Sequence, residues 1–335
     1  MEDKAERSRT CCQTLGKAFR YEFNCRRLGL SGADFELFPF AQWMWMDTYL
    51  YPIYRFAIAI GLLIWACVEI PLEVELSRNQ NIRLNYFLFA TNWSFLTYTL
   101  SSNVFAIFCA FYNCKKDGNI SSWPGQILWL LYGMSMNIVM VTSLGYWGAL
   151  WYPTHYRLIR PDSNSKHSIP ALSVVLDLCI NGLPIRLFHA IYPMTFGIIY
   201  ATFSYLYYDA GNVQPIYPVI DWSKPLKTAL VCTLIIAICP VVQFFFYLLY
   251  VGRITLSAHL NGRGQVVVER WWKASSHNTP VKEVFKDIEA VECVEMVKME
   301  ISTEANVEGD IEGGKFSTTA IDEIGEKDAN KEEVS

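Results

Sequence analysis

Asp177 is a candidate for intramembrane chemistry, because an ionisable side chain is costly within an apolar stretch long enough to cross a bilayer. It lies in HSIPALSVVLDLCIN, ten residues after His167 and four residues before Asn181. A separation of four residues places Asp177 and Asn181 on the same face of a helix. A carboxyl group in such a place is either bonded to a partner or protonated. The pattern leaves open a structural bond to Asn181 and a path for protons or ions.

A second group of polar side chains falls within the apolar segment YFLFATNWSFLTYTLSSN. Its members carry hydroxyl or amide groups: Thr91, Asn92, Ser94, Thr97, Thr99, Ser101, Ser102 and Asn103. Serine and threonine in a membrane helix usually bond to a carbonyl one turn earlier or to a neighbouring helix. Their density exceeds what packing needs, so a polar face lining a cavity is the alternative.

Other recognised catalytic patterns are absent from the sequence. No Cys/His cluster has zinc-ligand spacing, and there is no nucleophile elbow, P-loop or dinucleotide fingerprint. His189 and Arg186 fall near the opposite end of the apolar segments from His167, where a structural or headgroup-contacting role is expected. His155 falls in a loop, and His259 and His277 fall in the C-terminal segment. We predict no cofactor and no metal.

The elements that must position these residues are transmembrane helices. The chain is 52% apolar and 18% charged, and a helix needs about 20 apolar residues to cross the hydrocarbon core. The apolar runs are continuous and do not alternate, which favours helices over a barrel. We predict an all-α, polytopic membrane helix bundle, with a re-entrant hairpin as the alternative for the fourth and fifth spans. The six spans are about Ile53–Leu72, Tyr86–Phe111, Gly125–Trp151, Ser168–Leu183, Leu187–Tyr208 and Lys227–Tyr250.

The placement of charge predicts the topology. Basic residues concentrate before the first span and directly after the sixth, which places both termini in the cytoplasm. Arg55 and Glu69 lie near the ends of the first span, where charged side chains can snorkel to the interface. We therefore predict a cytoplasmic N-terminal segment (1–50), a transmembrane domain (51–252) and a cytoplasmic tail (253–335).

The two predicted tails differ in composition. The chain after Lys282 is acidic and poor in aromatic residues, so we predict that it is mostly disordered. We expect it to have cytoplasmic partners, which the sequence does not identify. Cys11, Cys12 and Cys25 flank basic residues, and free thiols or S-palmitoylated thiols are the alternatives there. No basic stripe of the kind that binds nucleic acid is present.

Four segments carry a resemblance to a known family. They are FELFPFAQW, ATNWSFLTYTL, VVLDLCINGLPIRLFHAIYPMTFGIIYATFSYLYY and IYPVIDW. Together they resemble the rolling stone family of multi-pass membrane proteins, named for a role in insect myoblast fusion, over about residues 20–260. The resemblance implies an integral membrane location and a role in cell–cell fusion at the plasma membrane, through membrane lipids or partners, and it implies no chemistry.

A fainter similarity reaches the androgen-induced family of membrane hydrolases, which cleave fatty-acid esters of hydroxy fatty acids with a threonine and a histidine. It implies that Thr91 is the nucleophile and His167 the general base, with weaker supporting roles for Asn92 as an oxyanion donor and for Asp177. Both main residues are predicted at the outer ends of their spans. The sequence departs from that family in the A-T-N context of Thr91 and in having Asp177 where the family has glutamate.

Three functions follow as hypotheses. The leading one is a multi-pass membrane protein of the rolling stone type that acts in cell–cell fusion. The second is an intramembrane hydrolase of lipid esters, which leaves open whether the protein is an enzyme. The third is a transporter that uses Asp177 as a proton site, although one carboxylate makes a poor relay and the chain shows no internal repeat.

Overall fold

The computed structural model describes residues 13–23, 29–30, 35–46, 49–79, 85–113, 122–150, 161–212, 215–260 and 262–276. All of them belong to one compact unit, Met1–His277. The second unit, Asn278–Ser335, contains most of the predicted tail and lies outside the described residues. Cys11, Cys12, Cys25 and His155 also lie outside them.

The described residues fold into helices and contain no strand. The α-helices are α1 (residues 13–22), α2 (Leu50–Asn79), α3 (Ala90–Asn113), α4 (Ser122–Gly145), α5 (Pro161–Ile180), α6 (Ile191–Asp209), α7 (Pro225–His259) and α8 (Gly264–Ser276). Three short 3₁₀ turns precede or join them: Phe35–Leu37, Asn85–Leu88 and Leu187–Ala190. A π-helical turn, Tyr146–Leu150, directly extends α4. The all-α prediction is confirmed.

Four helices are long and apolar enough to cross a membrane. The segments are Leu50–Glu75, Ala90–Tyr112, Ser122–Gly148 and Pro225–His259. α5 and α6 contain only 20 and 19 residues, and α5 also carries Lys166 and Asp177. The count of six spans therefore stays a prediction for these two helices. α7 is continuous through Pro240.

The outer faces of α2 and α7 consist of exposed apolar side chains. On α2 these include Ile53, Ile60, Leu63, Ile64, Val68 and Leu72. On α7 they include Leu226, Leu230, Leu234, Val241, Phe244 and Phe245. A soluble monomer does not expose apolar surface of this extent, whereas lipid tails cover it at no cost. The distribution of apolar side chains thus agrees with a bundle that lies in a membrane.

α4 occupies the centre of the bundle, where it contacts α3, α5, α6 and α7. Its inward positions alternate between bulky aromatic and small polar side chains, with Trp129 and Tyr132 followed by Ser135 and Asn137, all buried. Small residues let membrane helices approach closely, and polar ones bond across the interface. Asn137 does so by donating to the Cys239 carbonyl at 3.0 Å, which joins α4 to α7.

One end of the bundle is closed by residues 35–46, here called the entry segment, which lead into α2. Its backbone pairs with the end of α5, since the Gln42 amide donates to the Ile180 carbonyl at 2.8 Å. The Trp43 indole donates to the Cys179 carbonyl at 2.7 Å. Phe38 is fully buried and packs edge-on against Trp129 of α4. The entry segment includes the whole FELFPFAQW motif, and two of its N–H groups, the Gln42 amide and the Trp43 indole, are satisfied by carbonyl groups at the end of α5.

Two amphipathic helices pack beside the entry segment. Phe19 of α1 lies against Tyr247 of α7, with ring centroids 5.2 Å apart. Trp271 of α8 is buried against Tyr250 of α7. Trp271 belongs to the stretch that the sequence assigned to the cytoplasmic tail, and here it is part of the packed unit.

Gly182 is required by the close approach of the entry segment. A Cβ atom at Gly182 would lie 2.8 Å from the Leu37 carbonyl oxygen and 2.9 Å from that of Phe40. We expect Gly182→Ala to lower the free energy of unfolding by roughly 1–3 kcal/mol, because two backbone groups must move. The measurement is the thermal unfolding midpoint of the purified protein. Gly61→Ala, where a Cβ meets nothing within 4 Å, is the control, and equal midpoints for both variants would contradict the prediction.

Candidate functional site

Polar side chains inside the bundle form two clusters. The first surrounds Asp177 and lies toward the end that the entry segment closes. The second surrounds Lys166 and lies at the opposite end, where α5 begins. The predicted site residues divide between these clusters and their neighbours, so each is described from its own contacts.

Asp177 is fully buried and is paired with Arg55 of α2. The Arg55 Nη1 atom lies 2.8 Å from Oδ1 and 2.9 Å from Oδ2 of the carboxylate. Tyr54 donates to Oδ1 at 3.0 Å, and Tyr132 donates a short hydrogen bond to Oδ2. Asn181 also donates to Oδ2 at 3.1 Å, so the predicted bond between Asp177 and Asn181 is confirmed. The carboxylate thus has partners on α2, on α4 and at Asn181, the residue that follows the end of α5.

Arg55 was predicted to snorkel to the interface, and this was wrong. The side chain is 2% exposed. Its Nε and Nη2 atoms both donate to the Tyr51 hydroxyl, at 2.9 and 2.7 Å, and its guanidinium lies 3.8 Å from the Phe105 ring centroid. A carboxylate on another helix at the same depth gives the guanidinium better hydrogen bonds than the interface would. Since arginine does not release its proton, the pair is suited to joining helices rather than to relaying protons.

Lys166 is the centre of the second cluster. Its ammonium group forms a short ion pair with Glu69 of α2 and donates to the Asn92 side-chain oxygen of α3 at 2.5 Å. The Asn92 amide in turn donates to the Tyr86 carbonyl at 2.5 Å. The oxygen and nitrogen of the Asn92 side chain are therefore both engaged in bonds that join α2, α3 and α5. Glu69, which was predicted to snorkel, is a partner of Lys166 instead.

His167 lies beside this cluster but faces α4. Its ring stacks on Tyr146 with centroids 3.9 Å apart and planes 7° apart. It is 5% exposed, and its Nδ1 atom has no hydrogen-bond partner among the residues that the structure describes. Tyr146 is the first residue of the π-helical turn, a distortion that is often found at functional sites.

Thr91 is covered by the loop that precedes α7. The Tyr217 phenol hydrogen-bonds the Thr91 side chain and the Tyr200 side chain. Burial raises the pKa of Tyr217, which keeps the phenol neutral. Tyr217 belongs to the IYPVIDW motif, so this motif covers the N-terminal end of α3.

The structure brings Thr91 and His167 to the same end of the bundle without joining them directly. His167 contacts Tyr146. One turn before Tyr146, the hydroxyl of Thr142 in α4 lies 3.1 Å from the hydroxyl of Ser94, near the start of α3. Among the described residues, no hydrogen bond links Thr91 to His167. A base and a nucleophile need such a bond in the reacting state, although it is often formed only when substrate binds.

The remaining polar residues of α3 mostly follow the packing interpretation. Thr97 and Thr99 each donate to the carbonyl four residues earlier, at 2.7 and 2.9 Å. The Ser101 hydroxyl lies 2.7 Å from that of Ser135 in α4, and Asn103 donates to the Ala59 carbonyl of α2 at 3.2 Å. These bonds account for much of the polar density in α3 through helix–helix contacts.

Arg186 and His189 have structural surroundings rather than contacts with headgroups. Both are buried. Arg186 donates to the Gly29 carbonyl at 2.7 Å, and its guanidinium lies 4.4 Å from the Trp129 ring centroid. The His189 ring also packs against the Trp129 ring, with the two ring centroids 4.5 Å apart.

Sequence reasoning missed the cationic partners of both clusters. Arg55 was interpreted as an interfacial residue and Lys166 as a charge in an outer loop. A usable signal was present for Arg55. Arg55 in the first predicted span and Asp177 in the fourth both lie toward the span end that is predicted to face the cytoplasm, so their depths are similar. Opposite charges at one depth of a membrane usually pair.

Comparison with known proteins shows similarity to one family. The profile of the family described as "Protein rolling stone" matches residues 11–271, which include α1 to α7 and the start of α8. A relative with that name from Drosophila melanogaster is 23% identical over 230 residues, 62% of this chain and 80% of the relative. No solved structure matches the chain. Since the profile covers the entry segment, both polar clusters and the apolar helices, the chain belongs to the rolling stone family of membrane proteins.

Proposed function

We propose that this protein acts in cell–cell fusion at the plasma membrane, with both termini in the cytoplasm. The observation that supports the proposal most is the family match across residues 11–271. The family is named for a role in myoblast fusion, and the match includes the whole set of helices that would lie in the membrane.

The internal contacts favour a structural bundle over an enzyme. The Asp177 carboxylate and the Lys166 ammonium group are both bonded across three helices. Groups that are satisfied in this way rigidify a membrane bundle and leave little capacity for chemistry. The apolar faces of α2 and α7 remain for lipid or for protein partners, through which an effect on fusion would be exerted.

A cell-mixing assay tests the proposal. Two cell populations with different cytoplasmic fluorophores are mixed, with the protein expressed in one or both. We expect more doubly labelled, multinucleate cells than with empty vector, and antibody access to an epitope placed near residue 214 on unpermeabilised cells. Fusion at the empty-vector level, with the epitope at the surface, would contradict the proposal.

The second candidate function is hydrolysis of lipid esters, and one observation favours it. The Nδ1 atom of His167 is buried and has no partner within the described part of the chain, which is costly unless a ligand or substrate completes it. Thr91 lies at the same end of the bundle and is only partly buried. Entry of an ester between the Tyr217 loop and α4 would be needed to bring the two together.

Paired conservative variants test the hydrolase. Thr91→Val removes the hydroxyl at nearly constant shape, and His167→Phe keeps a ring to stack on Tyr146 while removing both nitrogens. If the chain is a hydrolase, membranes with wild type cleave a panel of lipid esters and each variant loses at least about 100-fold of that activity. Thr97→Val, which removes a hydroxyl that bonds only within α3, is the control. Cleavage that survives both variants excludes this pair as the catalytic residues.

A further inference from the structure

A small cavity lies between the entry segment and the last two helices. It offers about 20 Å³ and is partly open to its surroundings. Its polar lining includes Gln42 and Arg263, and its wall includes Gly182, Pro184 and Tyr250. None of its lining residues carries a carboxylate. The space holds one or two oxygen atoms, since a single water needs about 10–15 Å³.

Arg253 lies directly behind this wall. Its guanidinium donates to the carbonyl of Leu183, the residue between Gly182 and Pro184, at 2.9 Å, and it lies 5.3 Å from the Tyr250 ring centroid. The side chain is 5% exposed, and its Nε atom has no partner among the described residues. A buried guanidinium N–H without an acceptor is costly. Arg253 is not a lining residue of the cavity, so its positive charge acts on an anion there through space and not through a direct bond.

The charges around the cavity are not balanced. Arg253 donates to carbonyl and amide oxygens, namely those of Leu178, Leu183 and Asn181, and not to a carboxylate. The nearby carboxylate of Asp177 is already paired with Arg55. Within this network the described side chains therefore supply two guanidinium groups and one carboxylate, which leaves one buried positive charge uncompensated.

Arg263 adds a second uncompensated charge at the cavity itself. It donates a short hydrogen bond to the Ala41 carbonyl, and its guanidinium lies 4.8 Å from the Phe40 ring centroid. Burial lowers the pKa of Arg263, because removal from water disfavours the charged form. No ion pair of Arg263 occurs among the residues that the structure describes, and an anion in the cavity would offset this cost.

We propose that this cavity binds a phosphate monoester, with one or two of its terminal oxygens inside and the remainder in the open mouth. Two guanidinium charges match the dianionic form of a phosphomonoester, and the guanidinium group matches phosphate oxygens in geometry. The cavity lies near the end of α7, between the entry segment and the start of α8. The ligand is therefore the headgroup of a phosphomonoester lipid or a soluble phosphate of the same chemistry.

The test uses the full chain in phosphatidylcholine nanodiscs. The probes are phosphatidic acid, which carries a phosphomonoester, phosphatidylserine, which carries a phosphodiester, and inorganic phosphate. We expect native mass spectrometry to retain one phosphatidic acid per protein, and the thermal unfolding midpoint to rise with its concentration. A rise of equal size with inorganic phosphate supports the site and identifies a soluble ligand. Equal retention and shift with phosphatidylserine would overturn the proposal.

Matched arginine variants locate the site. Arg263→Gln is expected to weaken the binding of phosphatidic acid by about 10- to 100-fold, the effect of one lost charge-assisted hydrogen bond. Arg20→Gln removes the same charge from an exposed position on α1 and is expected to leave binding unchanged. Arg263→Lys, which keeps the charge, separates loss of the site from loss of folding. Unchanged binding in Arg263→Gln at an unchanged unfolding midpoint would reject the assignment.

Discussion

Replacement of Asp177 by leucine is expected to lower the free energy of unfolding by roughly 3–5 kcal/mol, a large fraction of the stability of a typical domain. The substitution leaves the guanidinium of Arg55 buried without its counter-ion. It also removes the acceptor of hydrogen bonds from Tyr54, Tyr132 and Asn181. The thermal unfolding midpoint in detergent, followed by tryptophan fluorescence, measures the loss.

A double variant separates the ion pair from the space that it fills. Arg55→Met together with Asp177→Leu removes both charges, and we expect it to recover a large part of the stability that each single variant loses. The coupling energy from the double-mutant cycle then reports the pair itself. If the losses of unfolding free energy in the two single variants simply add, Arg55 and Asp177 do not act as a pair. The ion pair then does not join α2 to α5.

Replacement of Trp129 by alanine is the second substitution with a large expected effect, again roughly 3–5 kcal/mol. The side chain is 2% exposed and contacts two other parts of the chain, the entry segment and the stretch that contains Arg186 and His189. Its ring packs against Phe38 of the entry segment and against His189, and Arg186 lies over its face. Truncation leaves a cavity that these elements cannot all close, because each is fixed by its own backbone bonds.

The indole of Trp129 also has a polar contact, which a milder variant isolates. Its Nε1 atom donates to the Pro184 carbonyl at 2.7 Å. Trp129→Phe keeps most of the packing but loses this bond, so we expect a loss of about 1 kcal/mol, the usual net value of a hydrogen bond, together with a small cavity effect. Leu130, also on α4 but only partly buried, gives the control Leu130→Ala. A loss in Trp129→Ala no larger than that in Leu130→Ala would contradict the expectation.

Much of the bundle could be predicted because it depends on local composition. The continuous apolar runs identified α2 to α7 but not α1 or α8, and α2, α3, α4 and α7 are long and apolar enough to span a membrane. The fourth and fifth segments were also recognised as helices. With 20 and 19 residues they are long enough to cross a bilayer. They are not among the helices whose composition is apolar enough to do so, so membrane crossing by α5 and α6 stays a prediction.

The candidate site was predictable only in part. The sequence identified Thr91, Asn92, His167 and Asp177 as unusual because polar groups in an apolar segment need a reason. It also identified the bond between Asp177 and Asn181, since four residues make one helical turn. It could not assign Asn92 to Lys166, because that contact joins residues 74 positions apart.

The sequence by itself determined which segments become helices, which of them suit lipid, and which polar side chains need partners. These properties follow from composition and helical period, which are local. Only the tertiary structure decided that Arg55 meets Asp177, that residues 35–46 close the end of α5, and that Arg253 and Arg263 border one cavity. Such contacts depend on the rotation and depth of each helix against its neighbours, which are set by packing of the whole bundle at once.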